Sequence, residues 1–118
     1  MKTIFILEDN LAICQLVSLL LKRKGYDSHA FYNVKSFLAA LNDRKPDMML
    51  IDVMLPDGNG LDLTIEFKES DGLNEVPILI MSANSDCHSI KDSYNKVDFI
   101  AKPFDIHVFD GKIASLIA

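Results

Sequence analysis

The sequence has little of what several protein classes require. It contains no Trp and two Cys, and its 12 Lys and Arg residues are outnumbered by 17 Asp and Glu residues, which gives a net charge of −5. Its largest basic cluster is Lys22-Arg23-Lys24. A nucleic-acid-binding surface needs clustered cations to neutralise phosphates. We therefore expect no direct binding to nucleic acid.

Long hydrophobic runs and paired cysteines are also missing. The first apolar run ends where Leu7 meets Glu8, which is too short for a signal peptide or a membrane span. Cys14 and Cys87 form no C-x-x-C pattern, so we expect reduced thiols. These absences predict a cytoplasmic protein that does not enter a membrane.

A chain of 118 residues is long enough for one ordinary hydrophobic core without disulfides or a structural metal. No internal repeat, low-complexity tract or Pro/Gly/Ser-rich linker divides it. We therefore predict a single domain over residues 1–118, with no effector domain.

Five short apolar runs alternate with stretches of helical spacing. The runs are Thr3–Leu7, Ser28–Phe31, Met48–Ile51, Ile78–Met81 and Asp98–Ala101. Three of them are continuously apolar, as in central strands of a parallel sheet that is covered on both faces. The pattern predicts a doubly wound α/β fold, with a five-stranded parallel sheet flanked by five helices.

Helix starts are indicated by residues that favour the N-cap position. Asn10, Asn33 and Asp105 are predicted caps, and Asn59 or Gly60 begins the third helix. The fourth helix, within 84–96, has a weak apolar stripe. The inward-facing residues predicted for the first two helices are Ile13, Leu16, Val17, Leu20, Val34, Phe37, Leu38 and Leu41.

Polar residues follow the predicted strands. Glu8 and Asp9 follow the first strand, Asp52 the third, Ser82 the fourth and Lys102 the fifth. Ligands bind beyond the carboxyl ends of the strands in open parallel sheets, so these side chains are expected to converge. Clustered carboxylates repel one another unless a cation is present, and oxygen ligands favour Mg²⁺.

The same residues are suited to phosphoryl transfer. Mg²⁺ takes one or two carboxylates and a phosphate oxygen, which leaves a carboxylate such as Asp52 free to act as a nucleophile. The Lys102 ammonium and the Ser82 hydroxyl are placed to neutralise the remaining phosphoryl oxygens.

Four segments together resemble a known family. They read Ile-Phe-Ile-Leu-Glu-Asp at 4–9, Met-Met-Leu-Ile-Asp-Val-Met-Leu-Pro-Asp-Gly-Asn-Gly at 48–60, Pro-Ile-Leu-Ile-Met-Ser-Ala at 77–83 and Phe-Ile-Ala-Lys-Pro-Phe at 99–104. In this order they resemble the receiver domain of two-component response regulators over essentially the whole chain. The resemblance implies a flavodoxin-like fold with strand order 2-1-3-4-5.

The resemblance also implies roles for the acidic residues. Asp52 would accept a phosphoryl group from a phosphohistidine of a sensor histidine kinase or phosphotransfer protein. Asp9 and the Met54 carbonyl would coordinate Mg²⁺ together with Asp52, and Glu8 would reach the ion through water. Mn²⁺ is an alternative ion.

Further roles follow from the resemblance. Ser82 and Lys102 would contact the phosphoryl group, and the Lys102–Pro103 peptide bond would be cis. Phe99 matches the aromatic switch residue that responds to Ser82. Met54 and Asn84 occupy positions that influence acyl-phosphate lifetime in this family.

The turn after the acceptor also matches the family. Gly58 and Gly60 are expected to allow positive φ there. Residues 94–98 depart from the family pattern. The resemblance therefore does not predict whether this chain dimerises through the family's usual surface. We expect a monomer or weak dimer that signals to an effector protein or domain, and not a turnover enzyme.

Three other functions compete with this one. A flavodoxin-like electron carrier is disfavoured because Glu8 and Asp9 would repel a flavin phosphate. An aspartyl-phosphate hydrolase would carry a second Asp at position 54, where this chain has Met54, and would need a cap domain. A pseudo-receiver that binds partners without phosphorylation is the main alternative.

Overall fold

The computed structural model describes residues 1–83 and 88–118. Its elements are, in chain order, β1 (Thr3–Leu7), α1 (Leu11–Arg23), β2 (Asp27–Phe31), α2 (Val34–Asp43), β3 (Met48–Asp52), β4 (Met54–Leu55), β5 (Gly58–Asn59), α3 (Gly60–Lys68), β6 (Ile78–Ser82), α4 (His88–Ser93), β7 (Val97–Ala101) and α5 (Ile106–Ile117).

The main sheet has five strands in the order β2-β1-β3-β6-β7. All neighbouring pairs are parallel. Counted without the short β4 and β5, this is the predicted order 2-1-3-4-5, which is confirmed. Every residue of β1, β3 and β6 is buried, because helices cover both faces of the sheet.

The three predicted N-caps are confirmed, and of the two residues predicted to begin the third helix Asn59 is its cap and Gly60 its first residue. The side chains of Asn10, Asn33, Asn59 and Asp105 each accept one or two hydrogen bonds from main-chain N–H groups of the helix that follows. The shortest of these bonds are 3.1, 2.8, 2.8 and 2.8 Å respectively. These caps place each helix start close to the carboxyl end of the preceding strand or hairpin.

The core lies in two layers, one on each face of the sheet. On one face Ile4 and Ile6 of β1 pack with α1 and α5, and on the other Phe5 and Leu7 pack with α2 and α3. The alternation follows from the two-residue period of a strand. Each layer therefore joins the central strands to one pair of helices.

Two residues of the predicted helix stripes do not face the core. Leu16 is 42% exposed and Leu38 is 40% exposed, whereas Cys14 and Leu21 of α1 are buried. Spacings of three and four residues from Cys14 through Val17 to Leu21 define the inward face of α1, and Leu16 lies beside that face. The expectation that Leu16 and Leu38 point inward is wrong.

The hairpin formed by β4 and β5 was not predicted. Its pairs are Met54 with Asn59 and Leu55 with Gly58. The predictions for Asn84 and Cys87 lie outside the described residues. Among the residues that are described, no helix has both the length and the apolar character needed to cross a membrane.

Candidate functional site

The strand-end residues singled out in the sequence line one cleft. It has a volume of about 310 Å³ and is lined by Glu8, Asp9, Asn10, Ile13, Asp52, Val53, Met54, Ser82, Ala83 and Lys102. β1, β3, β6 and β7 deliver these residues because their parallel carboxyl ends meet at one edge of the sheet. The expected convergence is therefore present in the structure.

Three carboxylates form the acidic part of this cleft. One oxygen atom from each of Glu8, Asp9 and Asp52 lies within 4.8 Å of the others. Glu8 is 0% exposed and Asp52 is 7% exposed, whereas Asp9 is exposed to solvent. Two carboxylates of the cluster are thus buried, and the third, Asp9, lies at the solvent-exposed side of the cleft.

Lys102 joins the two buried carboxylates. Its Nζ donates to Glu8 Oε1 at 2.5 Å and to Asp52 Oδ1 at 2.9 Å. The Lys102 side chain is 18% exposed. Charge-assisted hydrogen bonds of this kind offset part of the cost of burying the three charges.

The electrostatics of the cleft shift two pKa values. Burial raises the pKa of Glu8, and the negative charge of Asp52 adds to this effect against the opposing hydrogen bond from Lys102. Burial alone would lower the pKa of Lys102, but its bonds to Glu8 and Asp52 leave that pKa above the ordinary value. Lys102 therefore carries its positive charge in the cleft at neutral pH.

One main-chain N–H binds the Glu8 carboxylate, and one thiol binds its main-chain carbonyl. The Asn10 N–H donates to Glu8 Oε2 at 3.3 Å, and Cys14 Sγ donates to the Glu8 carbonyl at 3.2 Å. Burial raises the pKa of Cys14 to about 11, with further contributions from the charges of Glu8 and Asp9. The Cys14 thiol is accordingly protonated at neutral pH.

The remaining predicted residues occupy different positions around the cleft. Ser82 is buried at the end of β6, and its carbonyl accepts a hydrogen bond of 2.8 Å from the Lys102 N–H. Met54 lines the cleft and exposes its side chain. The Lys102–Pro103 peptide bond is cis, as the family resemblance implies.

Phe99 lies in β7, outside the cleft lining. It is half-buried and packs at the edge of the α2 and α3 layer. Lys112 Nζ sits 5.8 Å from the centroid of its ring and binds Asp98 Oδ2 at 3.0 Å. The switch role of Phe99 stays a prediction.

The sequence reasoning missed a function of Asp57. Its carboxylate accepts hydrogen bonds from the N–H groups of Val34 at 2.7 Å and Lys35 at 3.1 Å, and these bonds lower the pKa of Asp57. The β4–β5 turn is therefore tied to the start of α2. The Pro56-Asp57-Gly58 sequence signalled a turn, but nothing in it indicated a partner more than 20 residues away.

The expectation of positive φ at Gly58 and Gly60 is wrong. The glycines with positive φ are Gly25 and Gly72. A Cβ atom on Gly60 would lie 2.0 Å from the carbonyl oxygen of Asp52. Gly60 is needed because of close approach rather than backbone conformation.

The donor set of the cleft fits a hard divalent cation. Carboxylate and carbonyl oxygens are the ligands that Mg²⁺ prefers, and it tolerates sites with few protein ligands because it retains water. With all three carboxylates ionised, Glu8, Asp9 and Asp52 contribute three formal negative charges against the one positive charge of Lys102. One divalent cation would balance the remaining charge of −2.

The fold and the cleft define a class of α/β proteins in which an acidic cluster with a buried aspartate and a lysine meet at the carboxyl edge of a parallel sheet. The model of the response regulator receiver domain family matches residues 4–114. The chain belongs to this family, which serves two-component signalling.

Curated relatives support this assignment. The chain is similar to the DNA-binding transcriptional regulator NtrC of Proteus hauseri, with 32% identity over 105 residues that cover 87% of this chain and 22% of the relative. It is also similar to the transcriptional regulatory protein CrdR of Helicobacter pylori, with 30% identity, 95% of this chain and 53% of the relative. The chain thus spans about half or less of the length of these relatives.

Solved structures confirm the fold. The crystal structure of the response regulator TrrA from Thermotoga maritima, in complex with Mg²⁺-BeF, superposes with a TM-score of 0.85 at 22% identity. The match covers 98% of this chain and 99% of that one. At this identity the likeness establishes the receiver-type, flavodoxin-like fold.

Proposed function

We propose that this domain accepts a phosphoryl group on Asp52 in a Mg²⁺-dependent reaction and thereby switches a partner-binding surface. The observation that carries the proposal is the position of Asp52. Its carboxylate is buried in the cleft, 2.9 Å from Lys102 Nζ and grouped with Glu8 and Asp9. Such a carboxylate has an electrostatic environment suited to a reaction that adds negative charge.

In the proposed reaction a carboxylate oxygen of Asp52 forms a bond to phosphorus. The bond from phosphorus to the imidazole nitrogen of the donor phosphohistidine breaks, and that nitrogen keeps the electron pair and takes up a proton. Lys102 would neutralise charge on the phosphoryl oxygens, and the hydroxyl of Ser82, which lines the same cleft, would donate a hydrogen bond to one of them.

Three groups would hold the metal ion directly, namely the carboxylates of Asp9 and Asp52 and the main-chain carbonyl of Met54, and Glu8 would reach it through water. Bound Mg²⁺ would supply positive charge against the phosphoryl oxygens. Mn²⁺ would serve as a substitute, since it accepts the same oxygen ligands. The Mg²⁺-BeF bound by the TrrA relative supports this part of the proposal.

The wider setting is part of the same proposal. The donor is a sensor histidine kinase or phosphotransfer protein, and the recipient of the signal is an effector protein or domain in the cytoplasm. The domain, a monomer or weak dimer, catalyses its own phosphorylation and dephosphorylation and is not a turnover enzyme. It binds no nucleic acid itself, consistent with its net charge of −5.

Intact-mass spectrometry tests the proposal. The protein is incubated with acetyl phosphate, with Mg²⁺ or with EDTA, beside Asp52→Asn and the matched control Asp62→Asn, which changes an exposed acid of α3. We expect one phosphoryl adduct on the parent and the control, in Mg²⁺ alone, and none on Asp52→Asn. Absence of the adduct from the parent protein would favour the pseudo-receiver.

The switch role of Phe99 is tested separately. Amide chemical shifts are compared before and after acetyl phosphate treatment in the parent, in Phe99→Ala and in the control Phe104→Ala, whose aromatic ring stacks on Phe109 at a centroid distance of 5.1 Å. We expect Phe99→Ala to reduce the shift changes on β7 and α5. Unchanged shifts in that variant would show that Phe99 has no part in the switch.

A further inference from the structure

Gly60 joins the first turn of α3 to the segment that carries the acceptor. Its N–H donates to the Val53 carbonyl at 2.8 Å, and its own carbonyl accepts a bond of 2.8 Å from Thr64 Oγ1. Gly60 and Thr64 are both buried. The helix therefore begins directly against the main chain that leaves β3.

The contact at Gly60 leaves no space for a side chain. A Cβ atom there would lie 2.0 Å from the Asp52 carbonyl oxygen, 2.8 Å from the Asp52 carbonyl carbon and 2.8 Å from Ile51 Cγ2. Non-bonded heavy atoms normally approach to about 3.5 Å. A methyl group would therefore require a displacement of roughly 1.5 Å in α3, in Asp52 or in both.

The main chain on both sides of this contact is constrained. Asp52 ends β3, which pairs with β6 through the register Asp52 to Met81. Met54 pairs with Asn59, the residue before Gly60, in the β4–β5 hairpin. A shift at Gly60 is consequently transmitted both to Asp52 and to the backbone around Met54.

We propose that Gly60 is a positioning residue for the acidic cleft. Its lack of a side chain lets α3 begin on the Asp52 carbonyl, and this placement sets the Asp52 carboxylate relative to Glu8 and Lys102 while holding the Met54 carbonyl at the cleft. The inference rests on the proposed function and assigns Gly60 a part in it.

The test compares Gly60→Ala with two controls. Leu63→Ala removes a buried side chain from the same helix and lowers stability without altering the Asp52 contact. Gly58→Ala places a Cβ 2.9 Å from Val34 Cγ2, so its steric conflict falls on a side chain of α2 and not on the main chain of Asp52. All proteins are measured at a temperature at which circular dichroism shows them folded.

Two readouts report on the cleft. Isothermal titration calorimetry gives the Mg²⁺ dissociation constant, and amide spectra of the metal-free proteins report the environments of Asp52 and Lys102. We expect Gly60→Ala to weaken Mg²⁺ binding at least tenfold and to shift both amides. We expect Leu63→Ala and Gly58→Ala to stay within about twofold of the parent.

A kinetic split adds a third readout. With acetyl phosphate as donor, we expect Gly60→Ala to lower the maximal phosphorylation rate at saturating Mg²⁺ while leaving the half-saturating donor concentration nearly unchanged. If Gly60→Ala proves unfolded, Thr64→Val replaces it, because it removes the bond to the Gly60 carbonyl with little change in shape. That variant is expected to weaken Mg²⁺ binding two- to fivefold.

The outcomes separate the inference from the proposed function. A parent protein that neither binds Mg²⁺ nor becomes phosphorylated overturns the proposed function. A parent that does both, with Gly60→Ala (or its substitute Thr64→Val) indistinguishable from Leu63→Ala in Mg²⁺ affinity, overturns the inference alone. Weakened binding confined to the Gly60 and Thr64 variants supports it.

Discussion

Two largely buried lysines lie at opposite ends of the sheet and have opposite environments. Lys102, at the carboxyl edge, donates to the carboxylates of Glu8 and Asp52. Lys68, at the end of α3, is 8% exposed and donates to main-chain carbonyls of Asn74 at 3.2 Å and Val76 at 2.8 Å. Lys68 thus binds the main chain of the loop before β6, whereas Lys102 binds the carboxylates of the cleft.

The difference shows what a buried ammonium needs in order to keep its charge. The carboxylates around Lys102 raise its pKa in spite of burial. Burial lowers the pKa of Lys68 to about 8, because the carbonyls do not replace its lost hydration, and the charge of Glu75 opposes this effect only in part. Lys102 therefore keeps its positive charge, whereas Lys68 loses its charge at a lower pH than an ordinary lysine does.

Removing Lys102 should have the largest effect. We expect Lys102→Met to lower the rate of phosphorylation by acetyl phosphate about 10²-fold at saturating Mg²⁺, because one preorganised charge is lost from the reacting group. Quenched-flow sampling with mass detection measures the rate. Lys22→Met, which changes an exposed lysine of α1, is the control. An equal rate in both variants would show that the charge of Lys102 does not assist phosphorylation.

The same variant should lose more stability without a metal ion than with one. In EDTA we expect Lys102→Met to lower the free energy of unfolding by about 3 kcal/mol, because Glu8 and Asp52 stay buried without a cation. Mg²⁺ should restore most of the loss. Urea titrations in EDTA and in Mg²⁺ measure the difference, and an equal loss in both would show that packing, not charge, is responsible.

The pKa of Lys68 is lowered, whereas that of Lys102 is raised, so Lys68 should make the free energy of unfolding depend on pH. Its pKa is about 8 in the folded protein against an ordinary 10.5, so between these values the unfolded chain binds a proton that the folded protein does not. Stability due to Lys68 therefore rises with pH across this window, by roughly 2 to 3 kcal/mol. Lys68→Met should lack this rise.

Cys14 opposes Lys68 in part of that window. Its raised pKa means that its contribution to stability falls from pH 9 to about 11. The difference between parent and Lys68→Met, from urea titrations at pH 7 to 10, isolates the lysine. A difference that does not change with pH would show that Lys68 keeps an ordinary pKa.

The smallest effect is expected in α5. Gly111 lies in α5 with open space where a Cβ would be. We expect Gly111→Ala to raise the free energy of unfolding by about 1 kcal/mol, through helix propensity, equally at pH 7 and pH 10. Thermal denaturation measures this gain. A gain that changed with pH would mean that pH also alters the stability of the helix, so that the pH dependence predicted for Lys68 could not be assigned to the lysine alone.

The sequence was sufficient for features that depend on local pattern. Continuously apolar runs predicted the central strands, and Asn10, Asn33 and Asp105 predicted helix starts, because a cap needs only its own helix. The helix faces were harder to predict. α1 carries Leu11, Leu16 and Leu19 on exposed positions, so apolar residues occur all around it and no single stripe is defined.

The candidate site divides in the same way. The grouping of Glu8, Asp9, Asp52 and Lys102 follows from the strand-end rule. The burial of Lys68 could not be predicted, since its partners belong to a loop whose path is set by tertiary packing. The need for glycine at position 60 likewise arises from contact with Asp52, which sequence spacing does not reveal.

The hydrogen bond from Cys14 to the Glu8 carbonyl has a consequence for chemical labelling. With a pKa of about 11, Cys14 is ionised in about one molecule in ten thousand at pH 7, so folded protein should resist alkylation at this position. In a Cys87→Ser background, the rate at which iodoacetamide modifies Cys14 would then measure how often α1 separates from the end of β1. A thiol that is unreactive in the folded protein would thus report the rate of local unfolding around Cys14.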